Sequence, residues 1–242
     1  MIQHPQVIIS CEHAGNRVPD EYSDLFQNPH ATRCLKSHLG WDPGAAEGAY
    51  LLSDTLHCEL HQNICTRLLV DVNRSLGSPT LLSKFTQCLD QHLTAEIIDR
   101  YYRPYRSSLD ESINRKVQQG IPIVHLSIHT FTPLFCGQRR RFDIGFLFDP
   151  DRIPEKRLCM KWRATLQKIR PRCRIRLNQP YLGIDDGFTT TNRSRYQSDE
   201  YIGIEVEVNN HIHRRSEHHR KHFWLDLAKS VVPLVSAWPA TN

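Results

Sequence analysis

Six short apolar runs alternate with stretches of helical periodicity, and this alternation restricts what the chain can fold into more than any other feature. The runs are QVIISC (6–11), TRLLVDV (66–72), IPIVHLSI (121–128), FDIGFLF (142–148), residues 173–177 and YIGIEVEV (201–208). Runs of this kind suit strands covered on both faces rather than strands with one wet face. Between them, residues 44–61 carry apolar positions at helical spacing directly after Pro43, a residue suited to a first turn. Residues 93–119 read as a long amphipathic helix bent or broken at Pro104, 155–169 as a helix, and 217–238 as a closing helix. Strand and helix in succession predict one α/β domain over 1–242, with a mostly parallel, mixed central sheet and helices on both faces.

Composition narrows what such a domain does. A chain of 242 residues buries on the order of 70% of its unfolded surface, so it needs no disulfide framework. Its 8 cysteines are scattered without a CxxC pair, which points to a reducing, cytoplasmic compartment. No window approaches ~18 consecutive apolar residues, and MIQHPQVIIS has no basic segment before its apolar run. Neither a membrane span nor a secretory signal is therefore expected. The formal charge of +5 is dispersed, so no nucleic-acid partner is expected. GQRRRF (137–142) could line a substrate entrance or touch nucleic acid, and HIHRRSEHHRKH (211–222) reads as a solvated basic helix start. The absence of GxxxxGK[ST], GxGxxG and GxSxG removes support for P-loop, dinucleotide and serine-hydrolase sites.

Ligands of an open parallel sheet lie beyond the carboxyl ends of its strands. Glu12 and His13 follow QVIISC, Asn73 and Arg74 follow TRLLVDV, and His129 follows IPIVHLSI. Glu205, Glu207, Asn209 and Asn210 lie within and after YIGIEVEV. Two histidines, an arginine and a glutamate on one sheet edge are what a mononuclear zinc hydrolase requires. Such a site needs imidazole and carboxylate ligands with one position open, a carboxylate base, and a cation for an anionic substrate. Glu205 and Glu207 share one face of their strand, and periodicity alone does not choose between them as base.

CEHAGNRVP, GWDPGAAEGAYLLSD, RLLVDVNRS, SIHTF, PYLGIDDG and IGIEVEVNN occur in this order over residues 6–212. Together they resemble the N-formylglutamate amidohydrolase family, which is related to zinc carboxypeptidases and the aspartoacylase group. The resemblance implies a zinc-carboxypeptidase-like fold and a Zn2+-dependent hydrolase that cleaves the amide of an N-acyl amino acid, N-formylglutamate or an analogue. It implies His13 and His129 as metal ligands and Glu207 as catalytic base. Arg74 would act in catalysis and, with Asn73 and Asn209, in substrate binding. The related enzymes carry a glutamate ligand three residues after the first histidine, and here that position is Asn16, a poor zinc ligand. Asp42 of GWDPGA is the expected third ligand, with Glu12 as the alternative. The Asn16 departure keeps open a metal-free binding module with the same fold. A carboxypeptidase or deacylase acting on another N-acyl amino acid or small peptide is also open. The expected partner is a small molecule, with no nucleic acid and no membrane, and oligomeric state is not readable.

Overall fold

Gln6–Cys11 pairs as β1 in the middle of a six-stranded sheet, as its unbroken apolar character requires. The computed structural model describes residues 4–236. After β1 come α1 (Pro29–Leu35), α2 (Ala45–Leu56), β2 (Glu59–Gln62), α3 (Gln91–Ile97), α4 (Arg103–Gln118) and β3 (Ile123–Phe131). A small hairpin, β4 (Leu134–Phe135) and β5 (Gln138–Arg139), leads into β6 (Ile144–Leu147), α5 (Ile153–Ile169) and β7 (Ile175–Leu177). The chain continues through α6 (Phe188–Arg193), β8 (Tyr201–Asn209) and α7 (Glu217–Ser236). The 237–238 end of the expected last helix lies outside the described residues.

The sheet order is β2-β1-β3-β8-β6-β7. Strands β2, β1, β3 and β8 are mutually parallel, while β6 runs antiparallel to β8 and carries β7 parallel to itself. The architecture is thus a single α/β domain with a mostly parallel, mixed sheet. Side chains alternate across it. Ile9, Cys11, Leu126, Ile128, Ile204 and Val206 pack under α2, α5 and α7 with Leu52, Trp162 and Trp224. Phe146 stacks on Trp162 at 4.5 Å between ring centres, and Trp162 Nε1 donates to Ser230 Oγ at 2.7 Å, which satisfies the buried indole. On the other face Ile8, Ile123 and Tyr201 meet Leu109 and Ile113 of α4 and Phe188 of α6. Among the described residues, no helix is long and apolar enough to cross a membrane.

Two expectations are corrected. Residues 66–72 are not a strand: Leu68, Leu69, Val70 and Val72 are buried in a separate cluster with Tyr22, Phe26, Leu81, Ile97 and Tyr102. Their backbone pairs through tertiary contacts, Asp71 N–H to the Leu81 carbonyl at 2.8 Å and Thr66 N–H to the Arg17 carbonyl at 2.9 Å. An apolar run reports burial, and burial does not require a ladder. The second strand beside β1 is instead Glu59–Gln62, the tail of the stretch read as helix through 61. His57 takes φ 49°, the left-handed geometry that closes helix α2 and releases the chain into β2. The expected break at Pro104 is a π-helical turn, Ile98–Tyr102, which joins α3 to α4 and accommodates the missing N–H.

Candidate active site

His13 leaves the carboxyl end of β1, and His129 lies near the carboxyl end of the neighbouring β3. The His13 turn is held by Ala14 N–H to the Asn63 carbonyl at 3.0 Å. Gly15 allows that close approach, since a Cβ there would lie 2.6 Å from the Ile64 carbonyl oxygen. Asp42 is brought in by the turn that opens α2. Its N–H donates to the His13 carbonyl at 3.0 Å, and Gly44 takes φ 89°, a left-handed turn favouring glycine.

The three side chains converge. Asp42 Oδ2 is 2.9 Å from His129 Nδ1 and 3.4 Å from His13 Nδ1, and the two rings are 5.1 Å apart. One ligand atom from each of the three lies within 4.8 Å of the others, and all three residues are buried. The outer ring nitrogens are held by other groups. His13 Nε2 is 2.7 Å from Asp71 Oδ1. His129 Nε2 is 2.9 Å from Ser127 Oγ and 3.2 Å from Glu12 Oε2, and Ser127 donates to that carboxylate at 2.7 Å. Tyr105 donates to Glu12 Oε1 at 3.0 Å. Carboxylates on the far nitrogens fix which nitrogen faces inward, as around histidines that ligate metals. His13 Nδ1 is buried without a hydrogen-bond partner.

Glu12, the alternative third ligand, therefore stands behind His129, whereas Asp42 lies between the two imidazoles. Asn16 points away, its amide donating to the Leu35 carbonyl at 2.9 Å. Burial opposes the charge on Glu12 and Asp71, yet the neighbouring histidines hold both carboxyls well below their usual range. Asp42 is likewise held low against burial, by Arg67 and the two histidines. His129 is disfavoured as a cation by burial, but its bonds to Asp42 and Glu12 raise it well above its ordinary value. Three carboxylates around two imidazoles make a place for positive charge.

Register decides which glutamate joins them. His129 of β3 is directly paired with Glu207 of β8, so the two share a face side by side. Glu207 Oε2 is buried without a partner, and burial raises its carboxyl to about 8, with Asp42 and Glu205 adding in the same direction. Glu205 pairs with Ser127, and its Oε1 accepts from Thr189 Oγ1 at 2.8 Å.

A cavity of about 260 Å³ opens on this group. Asn73 and Arg74 line it, as do Arg67 and His38. Asn73 Oδ1 accepts from the Phe188 N–H at 2.8 Å. Arg74 Nη1 donates to the Asp186 carbonyl, and its Nε is 3.9 Å from Asp71 Oδ2. Arg67 donates to Asp42 Oδ1. Asn209 is not among the residues lining the cavity, in contrast to the expectation. Its amide donates to the carbonyls of Phe142 at 2.9 Å and Arg140 at 3.3 Å, and its oxygen accepts from His211 N–H at 3.2 Å. Sequence reasoning missed Arg67, Asp71 and His38; the first two lie within RLLVDVNRS, where a strand assignment hid that the chain coils around the site.

Strand-end histidines, an aspartate and a buried glutamate facing a small cavity define a hydrolase-type site on an α/β sheet. The chain belongs to the N-formylglutamate amidohydrolase family, whose model matches residues 5–213. It is thus an N-formylglutamate amidohydrolase-type hydrolase acting on an amide of a small molecule. A gene product of Agrobacterium tumefaciens superposes with a TM-score of 0.79 at 27% identity, over 96% of this chain and 92% of that one. An N-formylglutamate amidohydrolase from Ralstonia eutropha superposes with a TM-score of 0.66 at 17% identity, over 96% of this chain and 93% of that one, a likeness of fold. No curated protein matches the chain.

Proposed function

We propose that the protein is a zinc-dependent amidohydrolase that cleaves an N-acyl amino acid, N-formylglutamate or a close analogue, to the free acid and the amino acid. The observation that carries this is the convergence of His13 Nδ1, His129 Nδ1 and Asp42 beside Glu207. Two imidazoles and a carboxylate suit Zn2+ and leave a fourth position open. The unpartnered His13 Nδ1 and the surrounding carboxylates fit the same ion. When bound, zinc would lower the pKa of a coordinated water to about 7 and polarise the amide carbonyl.

The chain's own residues supply the rest. Glu207 takes a proton from the attacking water and returns it to the leaving nitrogen; a carboxyl poised near neutrality suits both transfers. Arg67, lining the cavity beside Asp42, stabilises charge developing on the carbonyl oxygen. Arg74, next to Asn73, presents a planar fork that matches a substrate carboxylate. The cavity, about 260 Å³, is smaller than the ~300–1,000 Å³ typical of drug-sized ligands, which favours a single acyl amino acid over a peptide. The free thiols of all eight cysteines support a reducing, cytoplasmic setting.

Elemental analysis of untagged protein, with hydrolysis measured before and after chelation, tests this reading. The expected result is about one zinc per chain, as a mononuclear site holds, with activity lost on chelation and restored by Zn2+. Metal-free protein with no hydrolysis would instead support the binding module.

A further inference from the structure

The basic run at 139–141 and the basic segment at 211–222 take no part in the proposed reaction, yet the fold brings them together. Three depressions of about 870, 470 and 480 Å³ join into one trough along the edge strand β7. The first two share His211 and Arg215, and the last two share Arg139, Arg140 and Arg141. Strand geometry explains the alignment. Cys173 and Ile175 are buried in the core and side chains alternate, so Arg174 and Arg176 turn outward, their Cα atoms roughly 6.6 Å apart. Arg172 lies two residues earlier, and Arg172, Arg174 and Arg176 line the three depressions in that order. The charge that composition presents as dispersed is thus gathered. Nine arginines, no lysine and two aspartates line the trough, an excess above the +5 of the whole chain. Both aspartates are engaged, Asp143 with Arg174 at 3.3 Å and Asp226 with Arg170 at 2.7 Å. Among the described residues, the other seven arginines have no carboxylate within 4.0 Å.

Like charges held side by side repel, and a polyanion laid along them relieves that cost. A guanidinium presents a planar fork that fits phosphate, and every cation lining this trough is an arginine. The surface is concave, so an extended strand can follow it where a flat bilayer cannot. Phe135 lines the depression at the Arg176 end, is 41% exposed, and has its ring centre 4.5 Å from the Arg140 guanidinium carbon. A cationic groove with an exposed aromatic ring is how proteins hold single strands without reading sequence. We propose that the trough binds a single-stranded nucleic acid, with phosphates along the arginine row and a base stacked on Phe135. Only Phe135 is shared between the trough and the catalytic cavity, so the proposal stands apart from the amidohydrolase reading.

Fluorescence anisotropy of a labelled DNA strand of about 15 nucleotides, titrated at several salt concentrations, tests this. Wild type is expected to bind with a Kd of roughly 1–100 μM at physiological salt. R139Q/R141Q, R172Q/R176Q and R214Q/R215Q each remove two phosphate contacts from a different segment. Each pair should lower the slope of log K against log salt by about 1.4, and weaken binding roughly 10–100-fold at ~50 mM salt. K156Q/R157Q removes the same charge from exposed positions of α5 outside the trough and should stay close to wild type. Phe135→Ala should weaken the DNA strand about tenfold and leave an abasic strand of equal length unchanged. No binding by wild type overturns the proposal, as does a loss in K156Q/R157Q equal to that in the three trough pairs, which would reflect net charge alone. Equal effects of Phe135→Ala on the two strands would remove the base platform and overturn it as well. Tighter binding of polyglutamate or of phosphatidylserine vesicles than of the DNA strand would assign the trough to an acidic protein or a membrane instead.

Discussion

Asp71 Oδ1 lies 2.7 Å from His13 Nε2, which leaves the other ring nitrogen, Nδ1, facing Asp42 Oδ2 at 3.4 Å. The same carboxylate accepts the backbone N–H of Asn73 at 3.0 Å and lies near Arg74. One side chain therefore sets the orientation of a candidate ligand and the path of the Asn-Arg segment. Its position comes from a coiled stretch whose apolar neighbours are buried in their own cluster.

That relationship predicts a graded loss of metal. Asp71→Asn should weaken zinc binding roughly 10–100-fold, as loss of an outer-shell partner does. His13→Ala and His129→Ala should abolish tight binding, whereas His218→Ala and His219→Ala, on the exposed start of α7, should leave it intact. Competition against a chromogenic chelator reads all five proteins. Unchanged affinity in Asp71→Asn would remove Asp71 from the site.

Glu207→Gln should reduce turnover by about 10²–10⁴-fold, because an amide cannot take the proton. Zinc affinity and melting temperature should stay close to wild type. Glu205→Gln should lose far less, since its carboxylate is engaged by Thr189. If Glu205→Gln is the inactive variant instead, the base is two residues further back on β8.

Arg74→Lys should lower kcat/KM by roughly 10–100-fold, mainly through KM, because a point charge does not replace a two-pronged fork. A substrate whose α-carboxylate is amidated should lose much less. Equal losses on the two would indicate a folding effect and exclude Arg74 as the clamp.

Acid stability should depend on His125. It is fully buried, with Nε2 2.7 Å from Ser10 Oγ and Nδ1 2.7 Å from Tyr201 Oη, and burial lowers it to about 4. A histidine lowered from about 6.5 takes up its proton first in the unfolded chain. Its contribution is complete above pH ~6.5 and is lost as pH falls toward about 4, by roughly 3 kcal/mol across that interval. His125→Asn should be less stable at pH 8, yet show a flatter urea-denaturation profile between those limits. A slope equal to that of the wild type would assign the acid sensitivity elsewhere.

Much of this was legible in the residues themselves. Unbroken apolar runs report strands covered on both faces, and polar residues directly after them report the binding edge, so His13, His129 and the Glu205–Glu207 pair stood out from order alone. The ladder then separated Glu207 from Glu205, because only pairing register places one of them opposite His129. Residues 66–72 show where local pattern stops: the same apolar run serves a strand or a buried coil, and contacts with Tyr22, Leu81 and Ile97 decided for the coil. Glu12 and Asn209 show the same limit for polar groups. Glu12 was near enough in sequence to ligate, but its partners Ser127, Tyr105 and His129 come from distant strands and helices and hold it behind the ring. Asn209 shares a strand face with Glu207, yet the carbonyls of Arg140 and Phe142 claim its amide. A sequence states which groups a chain offers and with what local period. Which group meets which depends on long-range pairing, because a buried polar atom takes whatever partner the packed fold brings within hydrogen-bond reach.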